Sequence, residues 1–197
     1  GLRVVLTLAL FVISYLGLPI FESVQRGQGF WQIGADGIGY HEAALRILDA
    51  WRLGFDLPST FHYGLDEYQL FRNFGLVVAI FYRLLGPVLL DGLLLNAWVG
   101  AVAVVPAYGF VRRLADRKGA RLAAGLIGFW PSSVIWSTQL LKDPWAALAI
   151  VTLFACLAVV WQGASAGRTL ASRAGAWIGC VLSVAALTFF RNYMGYI

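Results

Sequence analysis

The chain has 197 residues, of which 60% are hydrophobic and 13% are charged, and its formal net charge is +5. A soluble domain carries about 25% charged residues, so the composition excludes an ordinary water-soluble globular protein. The positive charge does not indicate nucleic-acid binding. Many of the cations fall in two short connections, residues 112–121 and 168–173, while every acid except Asp116 lies elsewhere.

Five segments with few or no charged residues predict membrane-spanning helices, because a helix needs about 20 apolar residues to cross about 30 Å of hydrocarbon. In chain order they are Val4–Phe21, Val88–Val111, Leu122–Leu141, Pro144–Trp161 and Ala174–Phe190. The first is interpreted as a retained anchor, since no small-residue cleavage site follows it. The sequence therefore predicts an all-α fold, a polytopic transmembrane helical bundle with about five spans. Residues 1–197 are expected to form a single transmembrane domain, which also fits the N-terminal module of a longer protein.

The distribution of cations predicts how these spans are oriented. Short loops that are rich in Lys and Arg stay on the cytoplasmic side of a membrane. Both basic connections lie inside if Arg3 begins the first span from the cytosol and the apolar run Phe74–Tyr82 does not cross. Lys142 and Asp143 then lie outside. This topology predicts an integral protein of a bacterial inner membrane with a cytoplasmic N-terminus.

The first external loop, residues 22–91, is predicted to contain two helices that lie at the membrane surface. Apolar side chains recur at helical spacing within residues 40–52, while most charged side chains fall between them. Such an amphipathic pattern is typical of a helix at the headgroup boundary. A turn-rich connection leads to a second surface helix at about residues 66–85.

Asp36 is the first candidate for chemistry. Glycines at positions 34, 37 and 39 flank it, and glycine lets the backbone approach a ligand closely. A carboxylate in that place could accept a proton from a hydroxyl group or bind a metal ion. The alternative is structural, because an aspartate often initiates a helix.

Lys142 and Asp143 are the next candidates, at the junction of two apolar segments. Asp143 followed by Pro144 matches a helix N-cap with proline at the first helical position, which is a purely structural role. Lys142 could merely extend its side chain to the interface. The topology, however, places both residues on the same side of the membrane as Asp36, where a lysine is suited to holding a lipid phosphate.

The remaining candidates lie in the same external regions. Arg191 is either an interfacial anchor among aromatic residues or a second phosphate ligand, since a guanidinium matches phosphate oxygens. Tyr40, His41 and His62 are candidates for contacts with a sugar or an acceptor. The two histidines lack the spacing of a zinc site, and a role at the surface is the alternative for each.

The order of these parts resembles the GT-C class of integral membrane glycosyltransferases, which includes protein O-mannosyltransferases, lipid A aminoarabinose transferases and oligosaccharyltransferases. In that class, one membrane helix precedes a long external loop with an acidic motif and two juxtamembrane helices. Two more spans, joined by a basic cytosolic turn, lead to a second acidic external loop. Here ADGIGYHEAALRI, residues 35–47, looks like the first motif, and PSSVIWSTQLLKDP, residues 131–144, looks like the second loop.

The resemblance implies a transferase that moves a sugar from a polyprenyl-phosphate-linked donor to an acceptor on the outer face of the membrane. Asp36 would be the first-loop carboxylate, acting as general base or acceptor-site acid. Asp143 would be the second-loop acid and Lys142 a ligand of the donor phosphate. Arg191 corresponds to the family's pattern more loosely, as a further phosphate ligand. The implied partners are the lipid bilayer, the lipid-linked sugar, and a protein or lipid acceptor. The resemblance implies no required cofactor and leaves a divalent metal open, although the second loop has only one acid.

Two other functions remain open from the sequence. Enzymes of the GT-C class usually have more spans and a C-terminal region, so the chain also fits a non-catalytic membrane subunit of a larger complex that keeps a GT-C-like scaffold. A transporter would require charged residues within the spans, which are nearly free of them.

Overall fold

A computed structural model describes residues 1–55, 71–162 and 169–190 of the chain. Its helices are α1 (Leu2–Tyr15), α2 (Asp36–Arg52), α3 (Arg72–Leu85), α4 (Leu89–Val102), α5 (Val104–Leu114), α6 (Arg117–Phe129), α7 (Pro131–Ser137), α8 (Asp143–Gln162) and α9 (Leu170–Phe190). Two short strands, β1 (Gln25–Gly27) and β2 (Phe30–Trp31), pair in an antiparallel hairpin. The predicted all-α class is confirmed, with this hairpin as a small addition.

Three helices are long and apolar enough, by length and composition, to cross a membrane. They are Leu89–Leu114, which comprises α4 and α5, Asp143–Gln162 and Leu170–Phe190. These helices correspond to the second, fourth and fifth predicted spans, and they indicate a membrane protein.

The other two predicted spans are not confirmed. Helix α1 has only 14 residues, and it stops ahead of Gly17, whose φ of +61° is unsuited to a helix. The predicted span Leu122–Leu141 is divided between α6 and α7, because Trp130 leaves the helical conformation with ψ of 121°. Pro131 then begins α7, a position that suits proline because the first turn of a helix needs no backbone N–H donor.

The described chain packs as two compact units. Unit 1 comprises residues 1–98 and 135–142, and unit 2 comprises residues 99–134 and 143–197. In unit 2, α5 packs on α6 and α8, and α8 packs on α9. The closest approach of α8 and α9 is at Gly179, where an added Cβ would lie 2.5 Å from Sγ of Cys156.

Within unit 1 the hairpin is attached to α1 by two side chains. Ser14 donates a 2.8 Å hydrogen bond to the carbonyl of Phe30, and the indole Nε1 of Trp31 donates to the carbonyl of Leu10 at 3.1 Å. The hairpin turn passes so close to α1 that a Cβ at Gly29, whose φ is +90°, would lie 2.6 Å from the ring of Phe11. The chain therefore reaches the start of α2 along α1.

Helices α2 and α3 form the largest packed pair of unit 1. The ring of Tyr40 meets the rings of Phe71 and Phe74 edge to face, with centroids 5.1 and 4.9 Å apart. A Cβ at Gly75 would lie 2.9 Å from Cβ of Ala43, so the two backbones nearly touch there. Helix α2 begins at Asp36, four residues before the predicted start of the first surface helix. Helix α3 begins at Arg72, and the predicted residues 66–70 of the second surface helix lie outside the described residues.

Candidate functional site

The start of α2 and the segment 137–142 meet in unit 1. A Cβ at Gly34 would lie 2.8 Å from Cβ of Gln139, and a Cβ at Gly37 would lie 3.3 Å from the carbonyl oxygen of Leu140. The glycines around Asp36 thus allow one backbone segment to lie against another. The sequence predicted a close approach at these glycines, and the observed neighbour is the chain's own second-loop segment.

Asp36 is the first residue of α2, and its side chain is exposed. The N-cap is Ala35, which makes no side-chain capping bond. The carboxylate of Asp36 therefore lies beside the positive end of the helix dipole, which stabilises a negative charge. Among the described residues, Asp36 has no ion-pair partner.

Lys142 lies close to the same turn of α2. Its Nζ is 6.0 Å from the centroid of the Tyr40 ring, at the outer limit of a cation–π contact. Tyr40 follows Asp36 by four residues, so the two side chains lie on one face of α2. The structure thus brings Asp36 and Lys142 to the same part of unit 1.

The side chain of Tyr40 is only 2% exposed. Its ring is held between Phe71, Phe74 and the lysine side chain. In this structure the ring is packed against α3 and lies beside Lys142. That Tyr40 contacts a sugar or an acceptor stays a prediction.

Asn96 holds the backbone that precedes Lys142. Its Nδ2 donates two hydrogen bonds of 2.7 Å, one to the carbonyl of Gln139 and one to the carbonyl of Leu141. Between those carbonyls, Leu140 packs so tightly that a Cβ at Gly92 would lie 2.9 Å from its Cδ1. Asn96 is fully buried, so its amide satisfies two carbonyls that water does not reach.

Arg3 attaches α1 to the start of this segment. Its Nη1 donates a 2.6 Å hydrogen bond to Oγ of Ser137. The sequence placed Arg3 at the cytoplasmic start of a span, where a guanidinium would be hydrated, but the residue is only 5% exposed. Arg3 is therefore a buried structural partner of the second-loop segment.

His41, which is half-buried, pairs with the buried Tyr82. Their Nδ1 and Oη atoms are 2.8 Å apart. Burial lowers the pKa of His41, and the charge of Glu42 opposes that shift. Burial, with the nearby charge of Asp91, raises the pKa of Tyr82 above its usual value. The tyrosine hydroxyl donates to Nδ1 when Nε2 carries the imidazole proton, and it accepts from Nδ1–H in the other tautomer.

We expect the stability of the protein to fall as the pH drops below 6.5, the ordinary histidine pKa. The folded pKa of His41 is lower than the unfolded one, so the unfolded chain binds more protons between those two values and the folded state loses stability there. The dependence of the thermal unfolding midpoint on pH, measured between pH 5 and 8, should be weaker in His41→Gln than in the wild type. A profile in His41→Gln as steep as that of the wild type would contradict the assignment.

The structure places the other predicted residues as follows. Asp143 is half-exposed, belongs to unit 2 and is the first residue of α8, directly before Pro144. The helix thus begins one residue before the position that the structural alternative predicted, which had Asp143 as the N-cap and Pro144 as the first helical residue. His62 and Arg191 lie outside the described residues.

Several buried polar residues were not predicted. Asn96, Ser137, Thr138 and Gln139 are all at most 4% exposed, although they lie in apolar segments. Polar side chains in such segments bond to neighbouring elements, so an isolated Asn or the run Ser-Thr-Gln in apolar sequence was the available signal. Among residues 1–55, 71–162 and 169–190, no group of three or more His, Cys, Asp or Glu side chains could hold a metal ion.

No protein-family model matches the chain, and no curated protein or solved structure is significantly similar to it.

Proposed function

We propose that the chain is a membrane glycosyltransferase that uses a polyprenyl-phosphate-linked sugar donor. One observation carries the proposal, namely that Nζ of Lys142 lies 6.0 Å from the ring centroid of Tyr40, a residue one helical turn after Asp36 in α2 of unit 1. An exposed carboxylate near a lysine is the pair that transfer from a phosphate-linked donor needs, because one group accepts a proton while the other stabilises the departing phosphate.

In the proposed reaction, the hydroxyl oxygen of the acceptor forms a bond to the anomeric carbon of the sugar. Asp36 takes the hydroxyl proton as that bond forms. The bond between the anomeric carbon and the phosphate oxygen breaks, its electron pair stays on the oxygen, and polyprenyl phosphate leaves. The ammonium group of Lys142 lies beside the growing negative charge. The reaction proceeds with inversion at the anomeric carbon.

The supporting residues give Lys142 a defined position. Asn96 holds the carbonyls of Gln139 and Leu141, and Tyr40 lies beneath the lysine side chain. Catalytic groups held by buried hydrogen bonds need little reorganisation during a reaction. A rigid backbone before Lys142 therefore supports a role in binding charge.

The test is turnover of a polyprenyl phosphate hexose by the purified chain in liposomes, with release of polyprenyl phosphate as the readout. Asp36→Asn should lower kcat about 100-fold, as expected for loss of a general base. Lys142→Ala should raise KM for the donor, and Lys142→Arg should recover part of the loss because it keeps the positive charge. Glu22→Gln, which changes an exposed acid of unit 1 in the same way, is the control.

Wild-type turnover in both Asp36→Asn and Lys142→Ala would remove the enzymatic proposal. Absence of turnover in the wild-type protein, together with stable association with other membrane proteins, would instead favour the non-catalytic subunit. A metal requirement is tested in the same assay by adding a chelator.

A further inference from the structure

A cavity lies at the other end of α2, where its last turn meets the last turn of α3. It has a volume of about 390 Å³, and Trp51, Arg52, Tyr82 and Arg83 are among its lining residues. Trp51 follows Asp36 by 15 positions along α2, a distance of about 22 Å at 1.5 Å per residue. The cavity is therefore separate from the Asp36 and Lys142 site.

Two guanidinium groups dominate the polar side of this cavity. Arg83 lies over the ring of Trp51, with its Cζ 5.5 Å from the centroid, and among the described residues it has no ion-pair partner. Arg52 pairs with Asp49 at 3.3 Å, but both side chains are more than 60% exposed. A pair that exposed contributes only about 0–1 kcal/mol, so Arg52 can exchange Asp49 for another anion at little cost.

Among the described residues, the acids near the cavity are Asp49, which pairs with Arg52, and Asp91. Burial, and to a lesser extent the charge of Asp91, raises the pKa of Tyr82. The cavity also receives the C-terminal ends of α2 and α3, which carry partial negative charge. These ends attract the arginines, but each guanidinium has five donors in a planar fork. That geometry matches phosphate oxygens better than it matches a helix end.

The residues next to these arginines in the chain are large, apolar and exposed. Leu53 follows Arg52 and is 65% exposed, while Leu84 and Leu85 follow Arg83 and are 74% and 65% exposed. Trp51 adds an indole, the side chain most typical of the boundary between lipid and water. A site for an anionic headgroup that is bordered by exposed leucines matches the two parts of a phospholipid, its charged headgroup and its apolar acyl chains.

We propose that the cavity at the ends of α2 and α3 binds the headgroup phosphate of an anionic phospholipid, with Arg52 and Arg83 as its ligands. Leu53, Leu84 and Leu85 then contact the acyl chains, and the α2–α3 pair is held at the membrane surface by that lipid. The proposal does not depend on the glycosyltransferase assignment.

Binding of dioctanoyl phosphatidylglycerol to the detergent-purified chain tests the proposal by isothermal titration. Arg52→Gln and Arg83→Gln should each weaken binding about five-fold, the change that corresponds to about 1 kcal/mol per basic residue at a lipid surface. The double variant should lose about 25-fold. Arg26→Gln, an exposed arginine on the hairpin of the same unit, should bind as the wild type does.

Two further measurements identify the ligand and its position. Dioctanoyl phosphatidylcholine and inorganic phosphate should bind far more weakly than phosphatidylglycerol. Phosphatidylglycerol with brominated acyl chains should quench the fluorescence of the wild-type protein more than that of Trp51→Phe. Circular dichroism checks that each variant is folded.

Three results would overturn the proposal. The first is wild-type affinity for phosphatidylglycerol in the double variant. The second is an equal loss in Arg26→Gln, which would indicate non-specific charge attraction. The third is inorganic phosphate binding as tightly as the lipid, which would make the site one for a free anion.

Discussion

Asn96→Asp is expected to destabilise unit 1 by about 4 kcal/mol, because the substitution replaces two hydrogen-bond donors by acceptors at the same positions. The amide of Asn96 donates to the carbonyls of Gln139 and Leu141 at 2.7 Å. Each buried carbonyl that loses its donor costs about 1–3 kcal/mol, and a buried carboxyl group adds a desolvation cost. The side chain keeps its shape, so packing does not contribute to the loss.

The measurement is the unfolded fraction of the detergent-purified protein in an SDS titration. Gln28→Glu is the matched control, since it makes the same exchange of an amide for a carboxylate at an exposed position of unit 1. The control should unfold at the wild-type midpoint. If Asn96→Asp did so as well, Asn96 would not be holding the segment before Lys142.

The second large effect is expected for Gly75→Leu, which should destabilise the protein by about 3 kcal/mol. The glycine lies where α2 and α3 pack closely, and even a Cβ there would be 2.9 Å from Cβ of Ala43. Ala43 is fully buried, and its Cβ is attached directly to the backbone of α2, so it cannot move away. Overpacking of this kind costs about 1–3 kcal/mol or more, since the helices must separate.

Gly75→Ala should cost less, because alanine adds only the Cβ, and its gain of about 1 kcal/mol in helix propensity over glycine offsets part of that clash. The control is Gly125→Leu in α6, where an added Cβ has no atom within 4 Å. Thermal unfolding midpoints of the three variants should rank Gly75→Leu lowest, then Gly75→Ala, then Gly125→Leu. A midpoint for Gly75→Leu equal to that of Gly125→Leu would mean that the contact between α2 and α3 contributes little.

The sequence predicted the long apolar helices correctly, because apolar composition alone decides their class. The segments that became Leu89–Leu114, Asp143–Gln162 and Leu170–Phe190 are long and apolar, so their class follows from the cost of exposing them to water. The amphipathic pattern of residues 40–52 likewise predicted most of α2, whose buried side chains include Ile47 and Leu48.

The predicted spans are not confirmed where a local conformation interrupts an apolar run. Leu122–Leu141 looks continuous by composition, but Trp130 turns away from the helix and Pro131 begins a new one. A mean hydropathy does not detect such a break, because it depends on side chains and not on backbone angles. Pro131 was the available signal in the sequence.

The amino-acid sequence by itself determined that this protein needs a membrane around it, since its apolar segments are too long and too uniform for a water-soluble fold. It also identified Asp36 and Lys142 as charged groups in unusual surroundings. Only the tertiary structure decided that the segments carrying these two residues lie together and that the ring of Tyr40 packs against α3. Contacts between residues 43 to 105 positions apart depend on close backbone approach at Gly34, Gly37 and Gly92 and on the amide of Asn96. Such approach is a property of three-dimensional packing that no local pattern records.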